Sequence, residues 1–127
     1  MNADKRRLDG ITEKIIGCAY QVANVLGAGF LDKVYENALA VELRKAKIDF
    51  SQQKPIRILY DGKTVGEYVV DLLVENAIVV ELKAIKTLDE IHMAQCLNYL
   101  KGTNLKVCLL LNFGRPRIQI KRIVNNF

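Results

Sequence analysis

Along this chain the apolar residues change their spacing three times, a pattern that helices and strands must share between them. From Ile11 to Leu26, the residues Ile11, Ile15, Cys18, Ala19, Val22 and Leu26 recur every three or four positions and form one stripe on a helix. Asp9 is its expected N-cap, and Gly27-Ala28-Gly29 its end, because glycine accepts the positive φ of a C-cap. Asp32 offers a side-chain oxygen to start a second helix, expected from about Lys33 to Ala46. Its buried side is Tyr35, Leu39, Leu43 and Ala46, with Glu36 at the edge of that side.

After Pro55 the period shortens to that of a strand. Ile56 to Tyr60 leads into Asp61-Gly62, a strong hairpin turn signal. A second strand runs from about Val65 to Val74, reverses around Glu75-Asn76, and returns as Ala77 to Lys83, rich in β-branched residues. These three make an antiparallel meander. Thr87-Leu88-Asp89-Glu90 has the form of a capping box and opens a helix reaching about Leu100, which Gly102 stops. Lys106 to Asn112 reads as a buried strand and Arg117 to Val124 as a final amphipathic one, with Gly114, Arg115 and Pro116 as turn residues between them. The order is ααβββαββ, with no linker, repeat or low-complexity segment.

At 127 residues this is one domain, residues 1–127, and its hydrophobic half with two prolines is the composition of a packed core. Cys18, Cys96 and Cys108 are odd in number and show no CxxC or Cys/His spacing, so free thiols in a reducing cytoplasm are expected rather than disulfides or zinc. Met1 to Asp9 is not followed by the apolar run of an export signal, and no stretch reaches the ~20 apolar residues of a membrane span. The formal net charge of +5 suits an acidic partner such as nucleic acid, although mildly basic soluble domains are common.

Chemistry concentrates at Asp71, Glu81 and Lys83, three charges near the ends of two apolar strands. Glu81 and Lys83, two apart, share a strand face. Asp71 joins them only if the register allows. A two-residue turn at Glu75-Asn76 would set Asp71 against Val80, pointing away, whereas an odd loop centred on Asn76 or a bulge sets it against Glu81. The second arrangement is expected. Two converging carboxylates suit a hard cation such as Mg²⁺ or Mn²⁺, and the lysine beside them suits an attacking water and the charge that builds on phosphorus. The plainer alternative is a solvated Glu81/Lys83 charge pair at a strand end.

Gln95 and Tyr99, four apart, share a face of the next helix. With them the sequence resembles the PD-(D/E)XK nuclease superfamily: Asp71, then Glu81-Leu82-Lys83, then Gln95-Cys96-Leu97-Asn98-Tyr99, which matches the Gln-x-x-x-Tyr motif of its RecB-like branch. It also looks like the small proteins named for a Gly-x-x-Glu-x-x-Tyr motif, here Gly29 to Tyr35, with Asp32 where the name has Glu. The likeness runs from about Gly27 to Lys121-Arg122. It implies an α/β fold with a restriction-endonuclease-like core, a mixed sheet flanked by helices, and a divalent metal held by Asp71 and Glu81. It also implies that Glu36 matches the first-helix glutamate that supports the metal site. An ordinary helix-flank glutamate is the alternative.

Gln95 could orient a phosphate or the lysine. Tyr99 could contact substrate, but a ring packed in the core with its hydroxyl at the rim is the favoured reading. His92 could reach the same cleft, with a partly exposed helix histidine as the safer reading. Arg115, Arg117, Lys121 and Arg122, with Lys101 and Lys106 nearby, form either a positive track for a phosphodiester backbone or a solvated face. The expected activity is Mg²⁺- or Mn²⁺-dependent hydrolysis of DNA, or RNA, endo- or exonucleolytic. Its catalytic residues would be Asp71, Glu81, Lys83, Glu36 and Gln95. Tyr99, Arg115, Arg117 and Lys121 would be substrate contacts, and nucleic acid, a second copy or partner subunits the partners. The rivals are an inactive binding or assembly module on the same fold and a scaffold that never touches nucleic acid.

Overall fold

A computed structural model describes residues 3–125. Its elements follow the expected order: α1 (Ala3–Leu26), α2 (Asp32–Lys45), β1 (Phe50–Tyr60), β2 (Lys63–Val74), β3 (Ile78–Lys83), α3 (Glu90–Thr103), β4 (Val107–Asn112) and β5 (Gln119–Val124). The five strands form one mixed sheet in sequence order. β1, β2 and β3 pair antiparallel, β3 and β4 parallel through the α3 crossover, and β4 and β5 antiparallel.

Two apolar cores sandwich this sheet. Ile15, Ala19 and Val22 of α1 and Tyr35, Leu39 and Leu43 of α2 pack on Leu72, Val80, Leu109 and Leu111. On the other face, Cys96, Tyr99 and Leu100 of α3 pack on Val79, Cys108 and Leu110. Both faces of β3 and β4 are therefore covered, which explains their unbroken apolar runs. Cys96 and Cys108 are buried, Cys18 is half-buried, and all three are free thiols.

Several local expectations change. Asp9 lies inside α1, which begins at Ala3, and it pairs with Lys5 and with Arg122 of β5 instead of capping. Leu31 occupies the N-cap of α2 without a side-chain bond, and Asp32 is the first helical residue. Ala46 is exposed, the buried alanine of that helix being Ala40. The N-cap of α3 is Asp89, whose capping box closes with His92 instead of Thr87 with Glu90. Asp89 accepts the N–H groups of Ile91 and His92, while His92 Nδ1 accepts the Asp89 N–H at 3.2 Å.

Two glycines have roles other than those expected. Gly102 sits within α3, where a Cβ would meet Ile58 Cδ1 at 2.1 Å, so it lets the helix approach β1 closely. The helix ends instead at Asn104, in the left-handed conformation. Around Gly114 a Cβ would lie 2.2 Å from the Ile85 carbonyl oxygen, so this glycine serves a close backbone contact beyond its place after β4.

β1 begins earlier than its alternating stretch suggests, at Phe50, and runs through Pro55. It can do so because it is an edge strand, where a missing N–H need not break the ladder. The hairpin at Asp61-Gly62 forms as expected, with φ of 53° and 76° and Tyr60 opposite Lys63.

A candidate acid site between two strands and two helices

The register between β2 and β3 decides whether a site exists. Val74 pairs with Ile78, Leu73 with Val79 and Leu72 with Val80, leaving a three-residue loop centred on Asn76. Glu75 and Asn76 hold φ of 53° and 52°, values that polar residues in tight turns tolerate best. This is the odd loop expected from the sequence. One step further, the same count sets Asp71 beside Glu81.

The regular ladder stops at Leu72 and Val80, and the Asp71 side chain bridges the opening. Its Oδ2 accepts the Leu82 backbone N–H at 2.9 Å, a bond that a strand carbonyl would otherwise make. Glu81 is 7% exposed, and its Oε1 is buried with no hydrogen-bond partner. Burial, followed by the adjoining Asp71 carboxylate and then Cys96, pushes the Glu81 carboxyl up to about 10, with Lys83 pulling the other way. Burial first, and the neighbouring Asp71 carboxylate second, thus favour the neutral form of Glu81 when no cation is bound. Lys83 is half-buried on the same strand face and has no ion pair among the described residues.

Glu36 lies on the opposite side of the sheet, 3% exposed on α2. It is not an orphan. Lys33 Nζ donates to both its oxygens at 3.1 Å, Gln52 Nε2 to Oε2 at 2.7 Å and Gln53 Nε2 to Oε1 at 2.9 Å. Gln53 Nε2 also reaches Asp71 Oδ1 at 3.2 Å. The acid of α2 and the acid of β2 are therefore joined through an amide.

α3 faces two cavities. One, of about 400 Å³, is lined by Gln95, Tyr99, Tyr68, Ile91, Ala94 and Asn98. Gln95 is exposed there and makes no hydrogen bond to the acid pair among the described residues. Tyr99 is a core residue, as favoured from the sequence: its ring is 5% exposed and packs 5.3 Å from that of Tyr68. Burial, followed by the charge of Glu81, pushes its phenol up to about 12. The second cavity, of about 350 Å³, has Lys83 and His92 on one side and Phe30, Leu31 and Asp32 on the other. Tyr35 fixes that far wall. Its hydroxyl donates to the Gly27 carbonyl and accepts the Phe30 N–H at 3.2 Å, while its ring stacks on Phe113 at 4.6 Å.

The C-terminal basic residues do not form one track. Lys121 pairs with Leu110 and lies on the α3 face, whereas Arg122 pairs with Leu109, lies on the α1 face and binds Asp9. Arg117 lines a third cavity with Tyr20 and Asn24 of α1, and Arg115 is an exposed loop residue. Strand alternation divides what looked contiguous in sequence.

Four residues at the site escaped the sequence reading. Gln52 and Gln53 fall in the unread beginning of β1, and Lys33 entered only as the expected start of the second helix. Asn112 is fully buried at the end of β4, where its side chain pairs with the Ile85 backbone, accepting the N–H at 3.0 Å and donating to the carbonyl at 2.9 Å. It thereby fixes the segment that leaves Lys83. A polar residue ending the run Val107 to Leu111 was the signal available for it.

Among the described residues, no three or more His, Cys, Asp or Glu side chains gather as a metal cluster, and no helix is long and apolar enough to cross a membrane. No curated protein matches the chain. Among solved structures, the crystal structure of SSO0001 is similar in fold, with a TM-score of 0.54 and 18% identity over 75% of this chain and 50% of that one. The present chain thus spans half the length of that relative. The family model of the PD-(D/E)XK nuclease superfamily matches residues 9–123. With the mixed sheet, the flanking helices and the paired acids of β2 and β3, that match makes this chain a member of the PD-(D/E)XK nuclease superfamily.

Proposed function

We propose that the protein is a nuclease that hydrolyses phosphodiester bonds in DNA, or RNA, with Mg²⁺ or Mn²⁺ at Asp71 and Glu81. One observation carries this reading: a buried carboxyl lies against a second carboxylate and a lysine, and among the described residues one of its oxygens has no hydrogen-bond partner and the lysine no ion pair. The donor set fits a hard divalent ion, since Mg²⁺ takes one or two carboxylates and completes its shell with water and phosphate. A bound cation would favour the ionised form of Glu81, which burial and then Asp71 disfavour. When bound, it supplies Lewis-acid stabilisation of a phosphate oxygen and a more acidic water.

The protein's own residues do the rest. Asp71 is oriented by Leu82 and Gln53. Lys83 directs its ammonium to the water that attacks phosphorus and to the charge that builds there as the bond to the leaving oxygen breaks. Glu36 supports Asp71 from α2 through Gln53, and Gln95 orients a phosphate in its cavity. In this reading Lys121, on the α3 face, and Tyr99, lining the cavity beside Gln95, are the substrate contacts, and Arg117 lies apart from them against α1. The domain works in the cytoplasm, alone, as a homodimer or with partner subunits, and resembles the Gly-x-x-Glu-x-x-Tyr group.

The test is cleavage of plasmid and linear DNA with and without Mg²⁺ by the wild type and by Lys83→Ala. Mg²⁺-dependent cleavage by the wild type alone is expected. Equal cleavage by both would place the activity in another site or a contaminant.

A further inference from the structure

In a regular strand, consecutive side chains point to opposite faces, so Gln52 and Gln53 should not reach the same group. Yet both donate to Glu36, one to each carboxylate oxygen. The backbone accomplishes this at Gln53, which holds φ of 51°, in the left-handed region that non-glycine residues rarely occupy. The disturbance crosses to the neighbouring strand. Gln52 pairs with Leu72 and Lys54 with Val70, so Gln53 and Asp71 are the positions between. There Leu72 belongs to the core under α1 and α2, while Val70 belongs to the core under α3.

We infer that Gln53 is a positioning residue, whose amide clamps Asp71 to the Glu36 carboxylate and presets it for the cation. This rests on the reading of Asp71 and Glu81 as a cation site. A carboxamide nitrogen carries two hydrogens, and here each has its own acceptor, Glu36 Oε1 at 2.9 Å and Asp71 Oδ1 at 3.2 Å. The reversed amide would set its oxygen against two carboxylates, so the chemistry fixes its orientation. Asp71 is then held at both ends, Oδ1 by Gln53 and Oδ2 by the Leu82 N–H.

Glu36 is anchored in turn by Lys33 and Gln52, so the relay from α2 to the acid pair runs through a single amide. Gln53 itself is exposed on an edge strand and contributes nothing to either core. Glycine would adopt this φ more easily. The use of a glutamine here therefore lies in its amide.

The experiment compares Gln53→Gly with the wild type, using Gln52→Ala as a control that touches Glu36 but not Asp71. Each full-length, metal-free protein is titrated with Mn²⁺ alone, and the Leu82 amide is followed by NMR without metal. Expected for Gln53→Gly is an unchanged or higher melting temperature and a Mn²⁺ Kd raised about 10- to 100-fold. Its Leu82 amide should also shift and exchange about tenfold faster or more. Gln52→Ala should keep the wild-type Leu82 signal.

Should Gln53→Gly fail to fold, Gln53→Asn, which tolerates the same φ but is one methylene shorter, is read in its place. Mn²⁺ affinity within about twofold of wild type, with an unmoved Leu82 amide, would overturn the clamp and leave the nuclease reading standing. If the wild type itself ignored Mn²⁺, the cation reading would fail, and the metal-free Leu82 amide alone would decide for or against the clamp.

Discussion

Asp71 Oδ2 accepts the Leu82 backbone N–H at 2.9 Å, just where the β2–β3 ladder ends, so the carboxylate that completes the sheet is also the one that meets Glu81. An asparagine keeps an oxygen for that N–H and removes the charge beside Glu81. Asp71→Asn is therefore expected to fold with a urea midpoint equal to or above that of the wild type. It should lose Mn²⁺ binding in calorimetry. A large drop in stability with intact binding would mean that the acid serves the sheet alone.

Glu81 makes the metal-free protein sensitive to pH. Its ordinary value is 4.5 and its folded value about 10, so between them the folded protein keeps a proton that the unfolded chain has released. Stability then falls as pH rises through that window, by about 3 kcal/mol between its start and pH 7. In EDTA, Glu81→Gln should abolish the slope and be more stable than the wild type by about that amount at pH 7. Denaturant unfolding at pH 5, 7 and 9 reads both effects. Because a cation must displace the same proton, Mn²⁺ affinity should climb with pH over the window.

Lys83 separates binding from chemistry. It lies near enough to oppose the rise at Glu81, yet no ion pair among the described residues uses it. Lys83→Ala is expected to retain Mn²⁺ binding while cleavage falls about 10²- to 10³-fold, the usual effect of deleting one group that stabilises developing charge. Parallel loss of both would make the lysine a part of the cation site.

The segment after Lys83 is held by Asn112 and crowded by Gly114. A Cβ at Gly114 would lie 2.3 Å from the Ile85 nitrogen and 2.6 Å from the Ala84 carbonyl carbon, backbone atoms with little freedom to move. Gly114→Ala should cost about 1–3 kcal/mol. Asn112→Ala, which leaves the Ile85 N–H and carbonyl without their partner, should cost about 2–4 kcal/mol. Thermal unfolding measures both, and a silent Asn112→Ala would show that water replaces the side chain.

The sequence by itself determined the order of the eight elements, the three-stranded meander and the side of β3 that carries Glu81 and Lys83. Each follows from spacing within one segment, and a period of 3.6 or 2 belongs to the chain before it folds. The acidic hairpin was legible for the same reason: the parity of one short loop decides whether Asp71 meets Glu81.

Only the tertiary structure decided what lies between elements. Alternation alone separates Arg122 from Lys121, but that Arg122 meets Asp9 depends on α1 covering its face of β5. Gln53 has no periodic signal, because its left-handed backbone interrupts the alternation on which strand reading relies, and its partners stand 17 and 18 positions away in the chain. Contacts of that kind arise when surfaces close on each other, and local spacing carries no record of them.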